Sequence, residues 1–223
     1  MPTNTSRKIL VVGATGGSGR AAVDALTKAG HHVTAFSRSA EAAFGDHPEV
    51  TAINGDVMDK AAVDRAVAGH DAVVVTLGIT ENPIRVRLLG PARTPIDVRS
   101  TGTSNVVDAM HAHGVDRLVV QSSYGIGPTR RHLGFRDRLF FAVLVKNQMT
   151  DTAVQEQVVR SSGLDWTLIQ PVHLNDTTPH AAAFLSTTGE TAAMKVSRVA
   201  VGQAIEHVVG DPTLSYETVS VSA

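Results

Sequence analysis

The chain has 223 residues and a mass of 23.4 kDa, with 43% hydrophobic and 18% charged side chains, which predicts one soluble globular domain with a sizeable core. Its 20 Lys and Arg against 21 Asp and Glu give a net charge of -1, so bulk charge attracts neither nucleic acid nor anionic membranes. It contains no cysteine, which excludes disulfides and thiolate chemistry, and no apolar run reaches the roughly 18 residues of a membrane span, so we expect a cytoplasmic protein.

The first part of the chain alternates apolar strands with helices. A continuous apolar run predicts a strand over 8–12, and small residues on one face predict a helix over 18–29 that ends at Gly30. Further segments are predicted as strands over 32–36, 50–53 and 71–76, with a helix over 61–68 between the last two.

The same alternation continues to Pro171. A helix is predicted over 95–113, a strand over 117–121, a helix over 151–162 and a strand over 166–170; beyond Pro171 we expect a strand near 192–196, a helix over 199–209 and a strand near 216–221. Such a βαβ series predicts an α/β fold, a Rossmann-like doubly wound parallel sheet with helices on both faces. The whole chain, 1–223, is expected to form one domain, in which 171–223 contributes a cap on the substrate side.

A glycine-rich segment, Gly13-Ala-Thr-Gly-Gly-Ser-Gly19, lies between the first strand and the first helix. Glycines there permit a tight turn and a close approach of the backbone to a pyrophosphate at the positive end of the helix dipole. The segment predicts a dinucleotide site, with backbone N–H groups of Gly16 and Gly17 on the pyrophosphate. Its candidate residues are Gly13, Thr15, Gly16, Gly17 and Ser18. The alternative is a βα turn that binds nothing.

The end of the second strand bears on the choice of cofactor. NAD sites place an acidic residue there for the ribose 2′-hydroxyl, whereas this chain has Ser37 and Arg38. A guanidinium with a neighbouring hydroxyl suits a 2′-phosphate, so we predict NADP(H), with Arg38 as its main contact and Ser37 as a second one. The alternative is that Arg38 is a solvated surface side chain.

Two further strand ends supply candidate cofactor contacts. Asp56 and Val57 follow the third strand, where the carboxylate would reach the adenine amino group and the valine would pack on the ring. Alternatively, Asp56 caps the helix that begins near residue 59. Leu77 and Gly78 end the fourth strand, where backbone would lie against the ribose and nicotinamide, unless Gly78 is an ordinary strand-terminal glycine.

Several segments together carry a family resemblance. Gly13 to Gly19, Arg38, Asp56 and the runs 66–78, 112–123 and 162–174 resemble the atypical short-chain dehydrogenase/reductase superfamily. Within it, they are most similar to the NAD(P)H-binding, NmrA-like family that includes biliverdin reductase B, also called flavin reductase. The resemblance implies a monomeric Rossmann-type domain that reduces flavins or biliverdins with NADPH.

The resemblance also implies residues on the acceptor side. Ser123 matches the family's active-site serine and His173 its histidine after the sixth strand; the alternatives are a turn-capping hydroxyl and a partly buried histidine that is satisfied by backbone. Ser122 would line the cofactor, and backbone near Pro171 and Val172 would meet the carboxamide. The family's other active-site histidine falls on Thr152, which makes biliverdin a less suitable substrate.

The chain lacks the Tyr-x-x-x-Lys pair with which the wider superfamily protonates a carbonyl, since neither Tyr124 nor Tyr216 has a lysine four residues later. This absence favours hydride transfer from NADPH to a conjugated small-molecule acceptor, a flavin, quinone or biliverdin-like molecule, with the proton taken from water. The alternative is a non-catalytic NADP(H) sensor that acts on a protein partner through the basic and apolar segment 129–150. We expect a monomer or weak homodimer without metal, nucleic-acid or membrane contacts, and interpret Glu156 as an ordinary helix charge.

Overall fold

The computed structural model describes residues 6–78, 94–132, 146–178 and 182–223, although not the side chains of 146–148. Most of segment 129–150, the suggested partner contact, therefore lies outside the described residues. Among the described residues, no helix has the length and apolar character needed to cross a bilayer.

The predicted strands and helices occur in the predicted order, although some ends differ, such as a helix over 146–160 in place of 151–162 and a strand over 195–197 in place of 192–196. The structure adds a short helix over 40–44 and short strands over 173–175 and 184–186. The strands are β1 (Lys8–Val12), β2 (His32–Ser37), β3 (Val50–Asn54), β4 (Ala72–Val75), β5 (Arg117–Gln121), β6 (Asp165–Pro171), β7 (His173–Asn175), β8 (Phe184–Ser186), β9 (Lys195–Ser197) and β10 (Glu217–Ser222). The helices are α1 (Gly17–Lys28), α2 (Ala40–Phe44), α3 (Lys60–Val67), α4 (Val98–His113), α5 (Lys146–Arg160) and α6 (Arg198–Gly210). Short 3-10 helices occupy Gly127–His132 and Pro212–Leu214.

The main sheet of the described residues has the strand order β3-β2-β1-β4-β5-β6-β10-β8. All neighbours in it pair in parallel except β10 and β8, which are antiparallel. After β3 the chain crosses back over β1 to reach β4, so the strand order reverses between β1 and β4. In a doubly wound sheet, ligands bind outside the carboxyl ends of the strands at this reversal.

Each face of the sheet carries its own apolar core. Alternate side chains of β1 point to opposite faces: Ile9 and Val11 join the core beneath α1 and α6, whereas Leu10 and Val12 join the core beneath α3, α4 and α5. The four residues from Ile9 to Val12 are fully buried, as a central parallel strand requires. The predicted Rossmann-like fold with helices on both faces is confirmed.

The segment after Pro171 is more closely joined to the sheet than a separate cap would be. β10 extends the main sheet by pairing with β6, and α6 packs along α1. Only β7 and β9 form a small sheet of their own, by parallel pairing. That residues 171–223 contribute a cap on the substrate side stays a prediction.

Candidate active site

Two glycines of the loop after β1 occupy positions where a side chain would be strained or would clash with the backbone. Gly13 has φ +83, and a Cβ there would lie 3.0 Å from the carbonyl oxygen of Thr76. A Cβ on Gly19 would overlap the carbonyl oxygen of Gly13, because α1 begins directly against the end of β1. The first glycine thus makes the tight turn and Gly19 allows the close packing of helix and strand, as in dinucleotide-binding loops.

The first turn of α1 presents backbone N–H groups to the carboxyl edge of the sheet. The N–H of Gly16 donates to the carbonyl of Gly13 at 3.1 Å, and the first intrahelical bond joins the Arg20 N–H to the Gly16 carbonyl at 2.8 Å. The N–H groups of Gly17, Ser18 and Gly19 precede that bond, so they have no acceptor within the helix. Because the Gly16 N–H is used inside the turn, we expect Gly17 and Ser18, rather than Gly16, to donate to a pyrophosphate.

Hydrogen bonds hold this loop at the reversal point of the sheet. The N–H of Gly13 donates to the carbonyl of Phe36 at the end of β2, at 3.0 Å. On the other side, the N–H of Thr76 donates to the carbonyl of Val12 at 2.9 Å, just after β4. The glycine loop and the ends of β2 and β4 therefore lie side by side along one edge of the sheet. The predicted adenosine contacts lie on the β2 side of the loop, and the predicted nicotinamide contacts on the β4 side.

Ser37 and Arg38 lie at the adenosine side of this edge. Arg38 is exposed, and its Nη2 donates to the hydroxyl of Thr94 at 3.3 Å. The hydroxyl of Ser37 accepts from the N–H of Ser39 at 3.4 Å. The bond to Thr94 holds the guanidinium at the end of β2, where a 2′-phosphate would be read, while the role of both residues stays a prediction.

The structure answers the question of which aspartate caps α3. Asp59 is the cap, since its carboxylate accepts from the N–H groups of Ala61 and Ala62 at 3.0 and 3.3 Å. Asp56 is exposed and accepts instead from the N–H of Met58 at 3.0 Å, in a turn before the helix. The side chain of Val57 is 7% exposed and packs toward α4, so little of it is available to an adenine ring.

An arginine that the sequence pattern does not single out lies beside the end of β4. A Cβ built on Gly78 would lie 3.3 Å from Nη2 of Arg99, in the first turn of α4, and Leu77 packs against Gly102 one turn later. Burial lowers the pKa of Arg99, and the nearby carboxylate of Asp151 opposes this shift. An arginine in the first turn of a helix resembles any other surface charge in the sequence, so only the packing of α4 on β4 reveals it.

A buried polar network lies beneath the predicted acceptor side. The hydroxyl of Ser122 and the amide of Gln170 donate to the same carboxylate oxygen of Glu156, at 2.5 and 2.6 Å. Arg160 pairs with the other oxygen at 3.4 Å. Glu156 is only 3% exposed, so the interpretation of it as an ordinary helix charge is wrong. This network fixes Ser122 and leaves the neighbouring Ser123, which is half-buried, at the edge of the site.

The backbone after β6 is already hydrogen-bonded within the fold. The carbonyl of Pro171 accepts from the N–H of Tyr124, and the N–H of Val172 donates to the carbonyl of Val221, both at 3.1 Å. A carboxamide contact at this point would therefore have to use the remaining lone pair or carbonyl. His173 is exposed on β7, opposite Lys195 on β9, so the alternative of a partly buried histidine is wrong.

Neither tyrosine is placed to act as an acid on a bound acceptor. The buried phenol of Tyr124 donates to the carbonyl of Gly189 at 2.8 Å, and burial raises the pKa of Tyr124. Tyr216 lies just before β10, where its ring packs edge-on against Trp166 at the opposite end of the strands. Among the described residues, no three His, Asp or Glu side chains cluster as metal ligands would.

Comparisons with known proteins agree with this geometry. The NAD(P)H-binding family matches the chain over residues 13–212. A 2-alkyl-3-oxoalkanoate reductase of Stenotrophomonas maltophilia is 36% identical over 130 residues, 56% of this chain and 36% of the relative. An uncharacterised chloroplastic protein of Arabidopsis thaliana is 27% identical over 177 residues, 78% of this chain and 61% of the relative. The chain thus covers less than two thirds of the length of each.

Solved structures share the fold over nearly the whole chain. A short-chain dehydrogenase/reductase from Veillonella parvula, in complex with NADP, has a TM-score of 0.78 at 19% identity. The match covers 97% of this chain and 94% of the Veillonella chain. ChuY, an anaerobilin reductase from Escherichia coli O157:H7, has a TM-score of 0.76 at 22% identity and covers 96% of both chains.

Proposed function

Because this chain belongs to the NAD(P)H-binding family, we propose that it is an NADPH-dependent oxidoreductase that passes a hydride to a conjugated acceptor such as a flavin or quinone. The observation that carries the proposal is the glycine loop at the reversal point of the sheet, where a side chain would be strained at Gly13 and would clash with the backbone at Gly19. The glycine spacing and the packing of this loop both support a pyrophosphate site more than a βα turn that binds nothing.

The residues of the loop and of β2 bind and orient in this mechanism. N–H groups of Gly17 and Ser18 would hold the pyrophosphate, and Arg38 would select the 2′-phosphate. When bound, NADPH supplies a hydride, which carries two electrons to the acceptor, and the matching proton comes from water. The chain itself mainly provides proximity and orientation.

The class of acceptor is inferred from the side chains that could donate a proton at the site. Simple ketones need a positioned proton donor. The Tyr124 hydroxyl donates to the carbonyl of Gly189, and Tyr216 lies at the opposite end of the strands. A conjugated acceptor accepts hydride without such a group. Ser123 and His173 would shape its binding, Ser123 by donating a hydrogen bond. Biliverdin and anaerobilin-like molecules belong to the same conjugated class, and ChuY is an anaerobilin reductase with this fold.

The experiment is a reduction assay with a panel of acceptors. Purified protein is mixed with NADPH or NADH and with FMN, riboflavin, menadione or biliverdin, and the loss of nicotinamide absorbance is compared with the same mixture without protein. We expect turnover with NADPH and at least one acceptor. Tight NADPH binding by calorimetry without reduction of any acceptor would contradict the enzyme proposal and support the sensor alternative, with a protein partner to be sought at segment 129–150.

A further inference from the structure

The pyrophosphate loop is overlaid by a side chain from a distant part of the chain. A Cβ built on Gly17 would lie 2.6 Å from Cδ and 2.7 Å from Nε of Arg198, the first residue of α6. The arginine therefore crosses directly over the first turn of α1. A side chain at position 17 would displace this arginine from the loop.

The packing of two helices fixes Arg198 in this position. Gly202 of α6 lies so close to the carbonyl of Ala21 in α1 that a Cβ on it would overlap the backbone. Arg198 is one turn before Gly202 and Gly17 is one turn before Ala21, so the same close contact brings the first turns of both helices together. Backbone packing thus brings the first residue of α6 beside Gly17, and the ion pair with Asp176 holds the guanidinium there.

This is an unfavourable place for a cation unless an anion is nearby. The first turns of α1 and α6 both carry the positive end of a helix dipole, and Arg198 adds a full charge beside them. Its ion pair is with Asp176, at 2.5 Å from Nη1 to Oδ1. The Asp176 side chain is 82% exposed and that of Arg198 31%, so water screens the pair, which contributes little stability.

The geometry points to Arg198 as a pyrophosphate-binding residue, with Asp176 as the internal anion that competes for its guanidinium. This inference rests on the proposed function. Asp176 uses Nη1, whereas Nε lies beside Gly17, one of the two residues whose N–H groups we expect to donate to a pyrophosphate. A diphosphate would bridge these N–H groups and the guanidinium, and would replace a screened carboxylate with a stronger, charge-assisted partner.

The test measures binding and needs no turnover. Calorimetry with NADPH and with ADP, which carries the diphosphate without the nicotinamide, should show a loss of affinity of about ten- to a hundredfold for Arg198→Gln. Arg198→Lys should fall between Gln and the wild type, since it keeps the charge but loses the planar fork. Arg65→Gln, which removes an exposed arginine of α3, is the control of equal charge and should bind like the wild type.

Asp176→Asn should change the affinity for both ligands in the opposite direction. Removal of the competing carboxylate should raise the affinity for NADPH and ADP by up to about fivefold, and most of this gain should vanish in an Arg198→Gln background. Asp46→Asn, at an exposed loop position, controls for the change in charge. Equal affinity of wild type and Arg198→Gln overturns the inference and leaves the oxidoreductase proposal standing. Reduced affinity in that variant, with no acceptor ever reduced by the wild type, supports the inference and removes the enzyme proposal; a wild type that binds neither ligand overturns both.

Discussion

At the scale of single residues, the site divides its work between backbone and side chains. Gly13 and Gly19 shape the loop because nothing larger fits, whereas Arg38 and Ser123 contribute functional groups at its two sides. Side-chain groups of this kind are tested by removing the group and leaving the backbone as it is. Substitution of Arg38 tests cofactor recognition, and substitution of Ser123 tests acceptor reduction.

Arg38→Glu should reverse the preference for the phosphorylated cofactor. The change replaces a favourable charge at the end of β2 with one that repels a 2′-phosphate, so the affinity for NADPH should fall at least about tenfold while that for NADH changes little. Dissociation constants from calorimetry measure this difference. Arg65→Glu, which changes the charge equally and elsewhere, should have no such effect; equal losses for both cofactors on Arg38→Glu would show that the residue does not read the phosphate.

Ser123→Ala should lower kcat and leave the dissociation constant of NADPH unchanged. If the hydroxyl donates a hydrogen bond to the acceptor, its loss should slow turnover about tenfold, the value of one modest hydrogen bond. Steady-state kinetics with the best acceptor of the panel provide the measurement. Ser161→Ala removes a hydroxyl that bonds only to backbone at the end of α5 and serves as control. An unchanged kcat in Ser123→Ala would remove this residue from the mechanism.

At the scale of elements, α4 obtains its N-terminal cap from a neighbouring helix. The buried carboxylate of Asp151 in α5 accepts from the N–H groups of Arg99 and Ser100 at 3.1 and 3.2 Å and from the Ser100 hydroxyl at 2.5 Å. Asp97, the residue at the capping position, instead accepts from the hydroxyl of Thr101. The cap therefore couples α5 to the turn that places Arg99 beside Gly78.

Asp151→Ala should destabilise the fold by about 2 kcal/mol, because it leaves two partly buried backbone N–H groups of α4, those of Arg99 and Ser100, without their acceptor. Urea unfolding followed by circular dichroism measures the change in free energy. Asp97→Ala removes a carboxylate that bonds only to a hydroxyl and should cost much less. Equal effects of the two substitutions would mean that Asp151 is not the cap.

At the scale of the whole molecule, two histidines near the amino ends of the strands connect stability to pH. Burial lowers the pKa of His70, against the opposing effect of Asp71, and Lys8 lowers it further. Burial also lowers the pKa of His31, with Glu206 opposing the shift and Arg7 adding to it. The ring of His70 lies 3.3 Å from the carbonyl of Val67 and 2.8 Å from the hydroxyl of Thr34, which suits a neutral ring with the proton on Nδ1.

Stability should therefore decrease as the pH falls through the ordinary histidine value of 6.5. Below that pH the unfolded chain takes up protons that the folded chain does not, which favours unfolding, and the loss ends once the pH is below the folded pKa values. We expect the free energy of unfolding to be lower at about pH 5.5 than at about pH 7.5, and the difference to be smaller in His70→Gln, as measured by urea unfolding at both pH values. His32→Gln, at an exposed position, is the control. A variant with the slope of the wild type would contradict this role of His70.

Features of this protein that depend on the local order of residues along the chain are predicted from the sequence alone. The alternation of apolar runs and helices predicts the doubly wound sheet, and the glycine spacing between β1 and α1 predicts the dinucleotide loop, because strand, turn and helix follow one another within a few residues. Arg38 is predicted for the same reason, as the residue after a strand end. The resemblance, which supplied Ser123 and His173, adds roles that stay predictions.

Contacts between side chains that are far apart along the chain are revealed by the packing of the elements. Arg198 lies over Gly17 because α6 packs tightly on α1, Asp151 caps α4 because α5 lies beside it, and Glu156 is buried because β5 and β6 bring Ser122 and Gln170 to it. Each of these residues looks like an ordinary helix charge in the sequence. Their surroundings come from the packing of elements that are far apart along the chain, which no local pattern encodes.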